Sequence, residues 1–316
     1  MGFHDRILRR PKNRASILTN SLYTELLDET ALHDYIKIED YLMVAGGIRP
    51  CSFITIPAEF KDGVELGRRI DELCKADLQS VLMAIPSEKM ILIQKLKNQL
   101  RQSFKRVVLT SNSYKAHLLW AKRLLLRTKE TEVRPSIHEL YFFQDSKLKK
   151  KLERLLEVRK TARKDTRTGT KETTIAYSEE LSSEYLASLG KMLGYPHCCV
   201  KRYIEDRLSQ DTNVEIRASR QIRDLRNTGE ELDRFAYFVM NFFPCNPTCR
   251  AASELGKKTF DLLSIVNPRL SNLYSECTQN NADLVEKYPK LITQYREKLE
   301  QSTQKLGKID DDRPKI

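Results

Sequence analysis

The chain has no uninterrupted apolar run near the ~18 residues that a membrane-spanning helix requires, so no such span is expected. Its opening segment, "MGFHDRILRRPKNR", lacks the apolar core of a secretion signal, and the expectation is a soluble, cytoplasmic protein. Neither G-x-G-x-x-G nor G-x-x-x-x-G-K-[ST] occurs, which leaves dinucleotide-binding and P-loop readings without support. The "AGG" at Ala45–Gly47 reads as a turn, not as a phosphate cradle, and no internal repeat is visible. Histidine is scarce, with five residues, and cysteine nearly so, with seven. An odd number of cysteines in a long chain suits a reducing compartment with thiol or metal chemistry better than a disulfide framework.

What is present begins with charge. At 316 residues the chain exceeds one ordinary core, and two domains are expected. The net charge of +12 is concentrated in two places. Residues 1–14 carry five Lys/Arg and one acid, or +4; residues 147–171 carry eleven Lys/Arg and three acids, or +8. A focused basic strip is what counterion release on RNA or DNA exploits. The candidate nucleic-acid-binding residues are Lys147, Lys149, Lys150, Lys151, Arg159, Lys160, Arg163 and Lys164. The alternative is a solvated helix face running into a charged linker.

Periodicity sets the expected architecture. "DYIKIEDYLMVAGG" from Asp34, "CSFITIP" ending at Pro57, "SVLMAIP", "RVVLTSN" and "SIHELYFFQ" read as strands. Between them, "GVELGRRIDELC", "EKMILIQKLKNQLRQSF" with Ser87 as N-cap, and "SYKAHLLWAKRLLLR" have helical spacing. This alternation predicts an α/β N-terminal domain with a mainly parallel sheet. From Ser146 a helix with a leucine face and a lysine face runs into "TARKDTRTGTKETT", which reads as an exposed linker. Beyond Tyr177 the texture is helical: "LSSEYLASLGKMLG", "HCCVKRYIEDRL", "ELDRFAYFVMNFF", and segments near 249–265 and 285–306. The expected organisation is thus an α/β domain over 1–159 with a basic N-terminal arm and a basic final helix, a basic linker over 160–177, and an all-helical C-terminal domain over 178–316 carrying the cysteines.

The candidate chemistry lies in "GYPHCCV" (Gly194–Val200) and "FFPCNPTCRAASELG" (Phe242–Gly256). Asn246 reads as an N-cap with Pro247 at the first helical position, so Cys249 falls in a first turn. Gly194 or Tyr195 reads as the cap of a second helix whose opening turn holds Pro196, Cys198 and Cys199. Helix N-termini favour negative charge, and thiolates are what both nucleophiles and metal ligands require. Cys198, Cys199, Cys245 and Cys249 are therefore candidate metal ligands, with His197 as an alternative ligand, and Cys198 or Cys199 is a candidate catalytic thiolate. Adjacent residues point about 100° apart on a helix, so the doublet is expected to suit an iron–sulfur cluster better than a single tetrahedral zinc. Three readings stay open: a metal site, a metal-free redox or nucleophilic pair, and small buried side chains. Cys51, Cys74 and Cys277 have no partner at metal spacing and read as core; His33, His117 and His138 read as packed or surface residues. Lys201 and Arg202 either hold an anion near the thiols or are solvated.

These two segments resemble an archaeal family of uncharacterised proteins, domain of unknown function 483, marked by Gly-Tyr-Pro-x-Cys-Cys and Pro-Cys-x-x-x-Cys. The match falls on Gly194, Tyr195, Pro196, Cys198, Cys199, Pro244, Cys245 and Cys249, within about residues 180–256. Members often carry a histidine shortly before the second motif, where Phe242 and Phe243 stand here. The resemblance implies that the cysteines act as a group and implies no reaction. The functional expectation is a cysteine-ligated metal or iron–sulfur protein, either a tRNA-modifying or sulfur-handling enzyme or a non-enzymatic nucleic-acid-binding protein with a structural metal. A small-molecule thiol enzyme with a pocket between domains is a further alternative.

Overall fold

The computed structural model describes residues 20–164, 178–209 and 213–311. The basic opening segment 1–14 and residues 165–177 of the expected linker lie outside the described residues. The chain divides into two units. The first comprises Met1–Glu157, Met192–Gly194 and Lys258–Tyr274; the second comprises Val158–Lys191, Tyr195–Lys257 and Ser275–Ile316. No helix among the described residues is long and apolar enough to cross a membrane.

The first unit corrects the expected parallel α/β fold. Its one sheet has three strands, β1 (Cys51–Ile56), β2 (Arg127–Arg134) and β3 (Ile137–Phe143), in the order β1-β3-β2 with both pairs antiparallel. The helices in this unit are α1 (Asn20–Asp28), α2 (Gly63–Met83), α3 (Pro86–Val107), α4 (Asn112–Arg123) and most of α5 (Ser146–Lys164). Of the five expected strands, only those at Cys51 and Ile137 exist.

Each miss has a local cause. The alternation in "IKIEDYL" is not exposure, because Ile36–Leu42 is a π-helical segment buried on every side. Its polar groups are held inside: Lys37 Nζ donates to Leu27 O and Asp34 Oδ1, both at 2.8 Å, and the Arg49 guanidinium reaches Glu39 O at 3.0 Å. "SVLMAIP" closes α2 and leads into α3, whose N-cap is Ile85, not Ser87. "RVVLTSN" is the last turn of α3 and the bend into α4, where Val107 and Val108 are buried. Strand β2 escapes sequence reading because it is a charged edge strand, mostly solvated, and charge is how edges avoid further pairing. Central β3 is buried from His138 to Phe143.

The second unit is helical, and the described residues from 178 onward include no strand. Its elements are a 3-10 turn (Ser178–Leu181), α6 (Ser183–Leu193) as far as Lys191, α7 (His197–Ser209), α8 (Val214–Asn227), a second 3-10 turn (Arg234–Tyr237), α9 (Arg250–Val266) as far as Lys257 and α10 (Pro268–Asp311) from Ser275, the remainders of α6, α9 and α10 belonging to the first unit. Helix α8 had no counterpart in the sequence reading, although Asn213 caps it by accepting from Glu215 N. "ELDRFAYFVMNFF" is not the expected helix. It forms one 3-10 turn and then a bend at Asn241, whose φ of 58° is left-handed. Tyr237, Phe238, Val239, Phe242 and Phe243 are all buried, more sides than one helical face offers.

Candidate metal centre

Two chain turns build the site. The first joins α6 to α7. Gly194 takes φ +78°, where side chains are disfavoured, and Tyr195 N donates back to Gly190 O at 2.9 Å, closing α6. The chain then restarts at once: Cys199 N and Val200 N both donate to Pro196 O at 3.0 Å, so Pro196 is the last residue before α7. Cys198 and Cys199 therefore lie in the first turn of a helix, as expected. Gly190 lets the two helices approach, since a Cβ there would stand 2.5 Å from Val200 Cγ2.

The second turn is Pro244–Cys249. Here Asn246 is not the helix cap; its side chain accepts from Thr248 N at 3.1 Å and folds the loop, and Pro247 is not helical. The cap is Cys249 itself. Its carbonyl accepts from Ser253 N at 2.9 Å, and its sulfur accepts from the Ala252 backbone N–H, as a serine or aspartate would at that position.

The four sulfurs converge. Cys199 Sγ lies 3.5 Å from Cys249 Sγ, Cys198 Sγ lies 3.7 Å from Cys249 Sγ, and the two sulfurs of the doublet are 3.9 Å apart. With Cys245 included, all four ligand atoms fall within 4.8 Å of one another. Cys245 N also donates to Cys199 Sγ at 3.4 Å, tying the two turns together. Cys198 and Cys199 thus lie near enough for both to reach one ion, although adjacent helical positions point about 100° apart. Cys198 is exposed, Cys245 half-buried, and Cys199 and Cys249 buried. His197 opens α7 on the exposed side and is not part of the cluster.

Burial and charge set the thiol chemistry. Burial pushes the Cys199 thiol far up, and the nearby Cys249 and Cys245 add to this. Burial likewise raises Cys245, to about 11. At Cys249 burial works in the same sense, but the Ala252 N–H and the neighbouring thiols outweigh it and hold its sulfur below the usual range. A thiolate at a helix start, beside the Cys199 and Cys245 thiols that burial keeps protonated, is part of a donor set that a thiophilic dication would complete by displacing the remaining protons.

A polar clamp braces the two turns. On α7, buried Asp206 accepts from Arg202 Nε at 2.9 Å and from Arg217 Nε, on α8, at 2.8 Å. Arg217 Nη1 donates to Pro244 O at 2.8 Å, and Gln221 Nε2 donates to Cys245 O at 3.3 Å. None of Asp206, Arg217 and Gln221 was a sequence candidate. They sit at no ligand spacing, and only the folded chain brings them beneath the loop. Lys201 and Arg202 are paired within α7, to Glu205 at 3.9 Å and Asp206 at 2.9 Å.

The basic strip resolves into two parts. Lys147, Lys149, Lys150, Lys151 and Lys160 are exposed on α5. Arg159 is buried and donates to Glu179 at 3.0 Å, and Arg163 Nε donates to the same carboxylate at 2.8 Å. Lys164 ends the helix, and its side chain lies outside the described residues. Cys51, Cys74 and Cys277 are buried as expected, and so are His117 and His138.

Residues 122–264 match the family model described as protein of unknown function (DUF483), which bears out the resemblance read from the cysteine segments and extends it upstream to α4. Searches of curated proteins and of solved structures return no match.

Proposed function

We propose that the four cysteines hold a single tetrahedral zinc ion whose role is structural. The observation that carries this reading is the sulfur spacing. Four thiolates about 2.3 Å from a central zinc have sulfur–sulfur edges of about 3.8 Å, against 3.5, 3.7 and 3.9 Å among Cys198, Cys199 and Cys249. Only Cys245 has to close in, by about 1 Å or less. A [4Fe–4S] cluster puts each thiolate on a different iron and a [2Fe–2S] cluster divides them two and two between its irons, so either spreads four cysteine sulfurs further than this pocket does. A complete four-sulfur set also leaves no coordination position for a substrate and makes both members of the doublet ligands instead of nucleophiles, as structural sites do.

The test is elemental analysis of protein purified without air, with cobalt substitution as a second readout. One zinc per chain, and the visible bands of tetrahedral cobalt–thiolate on exchange, support the reading. Brown protein carrying iron and acid-labile sulfide overturns it in favour of a cluster.

A second reading concerns the partner: the exposed lysines of α5 bind the phosphate backbone of a nucleic acid. Lys147, Lys150, Lys151 and Arg154 are exposed, and Lys150 and Lys151 each lie three or four positions from both Lys147 and Arg154. Replacing Lys147, Lys150 and Lys151 with glutamine is expected to weaken binding to an unrelated duplex and to reduce the magnitude of the slope of log affinity against log salt by about 0.9 per lost contact. An unchanged slope sinks this reading.

A further inference from the structure

Six exposed large apolar side chains among the described residues of the first unit gather in the far half of the α2–α3 pair. These helices run antiparallel and meet along a seam marked by Cys74 Sγ to Ser103 Oγ at 3.6 Å, Gln99 Nε2 to Leu73 O at 3.5 Å and a Lys95–Asp77 ion pair at 2.9 Å. The buried residues of the pair lie at its base: Leu66, Ile70 and Cys74 on α2, and Ser103, Phe104 and Val107 on α3. Between Lys75 and Gln102 the only buried side chain is Val81, so the outer half of the hairpin touches little but itself.

That outer half is not polar. Leu78 is 48%, Leu82 50%, Met83 68%, Ile85 58%, Met90 76% and Ile91 73% exposed. Summed over the six side chains, the exposed apolar surface is on the order of 700 Å², close to the roughly 800 Å² each partner buries in a stable interface. Leu78 and Leu82 stand one turn apart beside the seam, so the patch has a helix-packing face as well as a tip.

Charge selects the occupant. Residues 71–98 carry four acidic residues and four lysines, a net charge of zero in a chain whose total is +12. A surface of mixed sign and no net charge is not steered to an anionic partner, and it does not repel its own copy as the basic segments 1–14 and 147–171 would. A pair of antiparallel helices is also a self-complementary shape. Two such pairs laid tip over tip about a two-fold axis form a four-helix bundle, each exposed leucine meeting its equivalents. We propose that two copies of this chain associate through the outer halves of α2 and α3.

The proposal is independent of the metal reading, and the test uses the full chain under reducing conditions, so that exposed Cys198 cannot cross-link copies. Sedimentation velocity at tens of micromolar is expected to give a dimer. The Leu82→Glu/Met90→Glu double variant is expected to be monomeric at the same concentration, with its dissociation constant raised at least about 100-fold and its helical circular dichroism and metal content unchanged. The single variant Leu78→Glu serves as a second probe should the double variant lose helicity. A wild-type chain that is monomeric at these concentrations overturns the proposal, whether or not it floats with lipid vesicles, and so does a dimer that survives these substitutions.

Discussion

Two apolar runs, one aliphatic and one aromatic, meet opposite ends. "SVLMAIPSEKMI", Ser80–Ile91, leaves Leu82, Met83, Ile85, Met90 and Ile91 exposed. "YFVMNFFPC", Tyr237–Cys245, buries Tyr237, Phe238, Val239, Phe242 and Phe243. The first belongs to two helices that pair with each other and are left bare beyond their base. The second is bent at Asn241, so that Phe238 and Phe242 pack 4.6 Å apart and Tyr195 lies 5.0 Å from Phe242. The difference teaches that apolar content alone does not decide burial in this protein; what the chain brings back across a segment does.

The largest expected effect is at the cysteine cluster, whose Cys245 ends the buried run. Cys199→Ser is expected to abolish stoichiometric metal and to lower the thermal midpoint by well over 10 °C, because for a structural site binding free energy is folding free energy. Elemental analysis and a melt with and without chelator check it; full metal content in the variant would separate the run from the site. Next, Phe242→Ala removes a buried ring and is expected to cost about 3–5 kcal/mol in urea unfolding. Third, Arg217→Ala is expected to weaken metal retention about 10–100-fold in chelator competition, through loss of the hold on Pro244 and Cys245, with Arg217→Lys recovering part of it.

A fourth test asks whether the first unit, despite its bare hairpin, has a core that resists charge. Burial, helped by nearby His33, pushes His117 down to about 3 from an ordinary 6.5, and its Nδ1 lies 2.6 Å from the Tyr41 hydroxyl. The folded chain keeps this ring neutral while the unfolded chain protonates it. Its contribution is therefore complete above about pH 6.5 and is lost as pH falls toward 3, by about 2 kcal/mol between pH 7 and 5. His117→Gln should flatten that part of the pH–stability curve, and an unchanged slope would place the titrating group elsewhere. The smallest effect closes the comparison: Leu82→Ala, measured on the monomer, should change stability by no more than about 0.5 kcal/mol. A cost like that of Phe242 would mean that the hairpin tip is covered within its own chain.

The site was more legible than the fold. Cysteine is rare here, so two close pairs stood out, and the turn residues around them, Gly194 and Pro196, signal helix ends by their own backbone limits. The cap at Cys249 was misplaced by three residues because Asn246–Pro247 is as good a turn as it is a helix start. The parallel sheet failed for a different reason. Period-two alternation at Ile36–Leu42 and the apolar run at Ser80–Pro86 resemble strands only if polar residues face water and apolar ones do not. Lys37, Glu39 and Asp40 are buried, while Leu82, Met83 and Ile85 are exposed.

By itself the amino-acid order determined where α6 ends and α7 begins, where charge accumulates and which thiols stand in pairs, since these follow from local backbone preference and composition. Tertiary structure alone decided that four sulfurs meet within 4.8 Å, that Arg159 and Arg163 close on Glu179 while the lysines of α5 face outward, and that three strands pair antiparallel. Each of these depends on contacts between residues far apart in the chain, and no local periodicity encodes them.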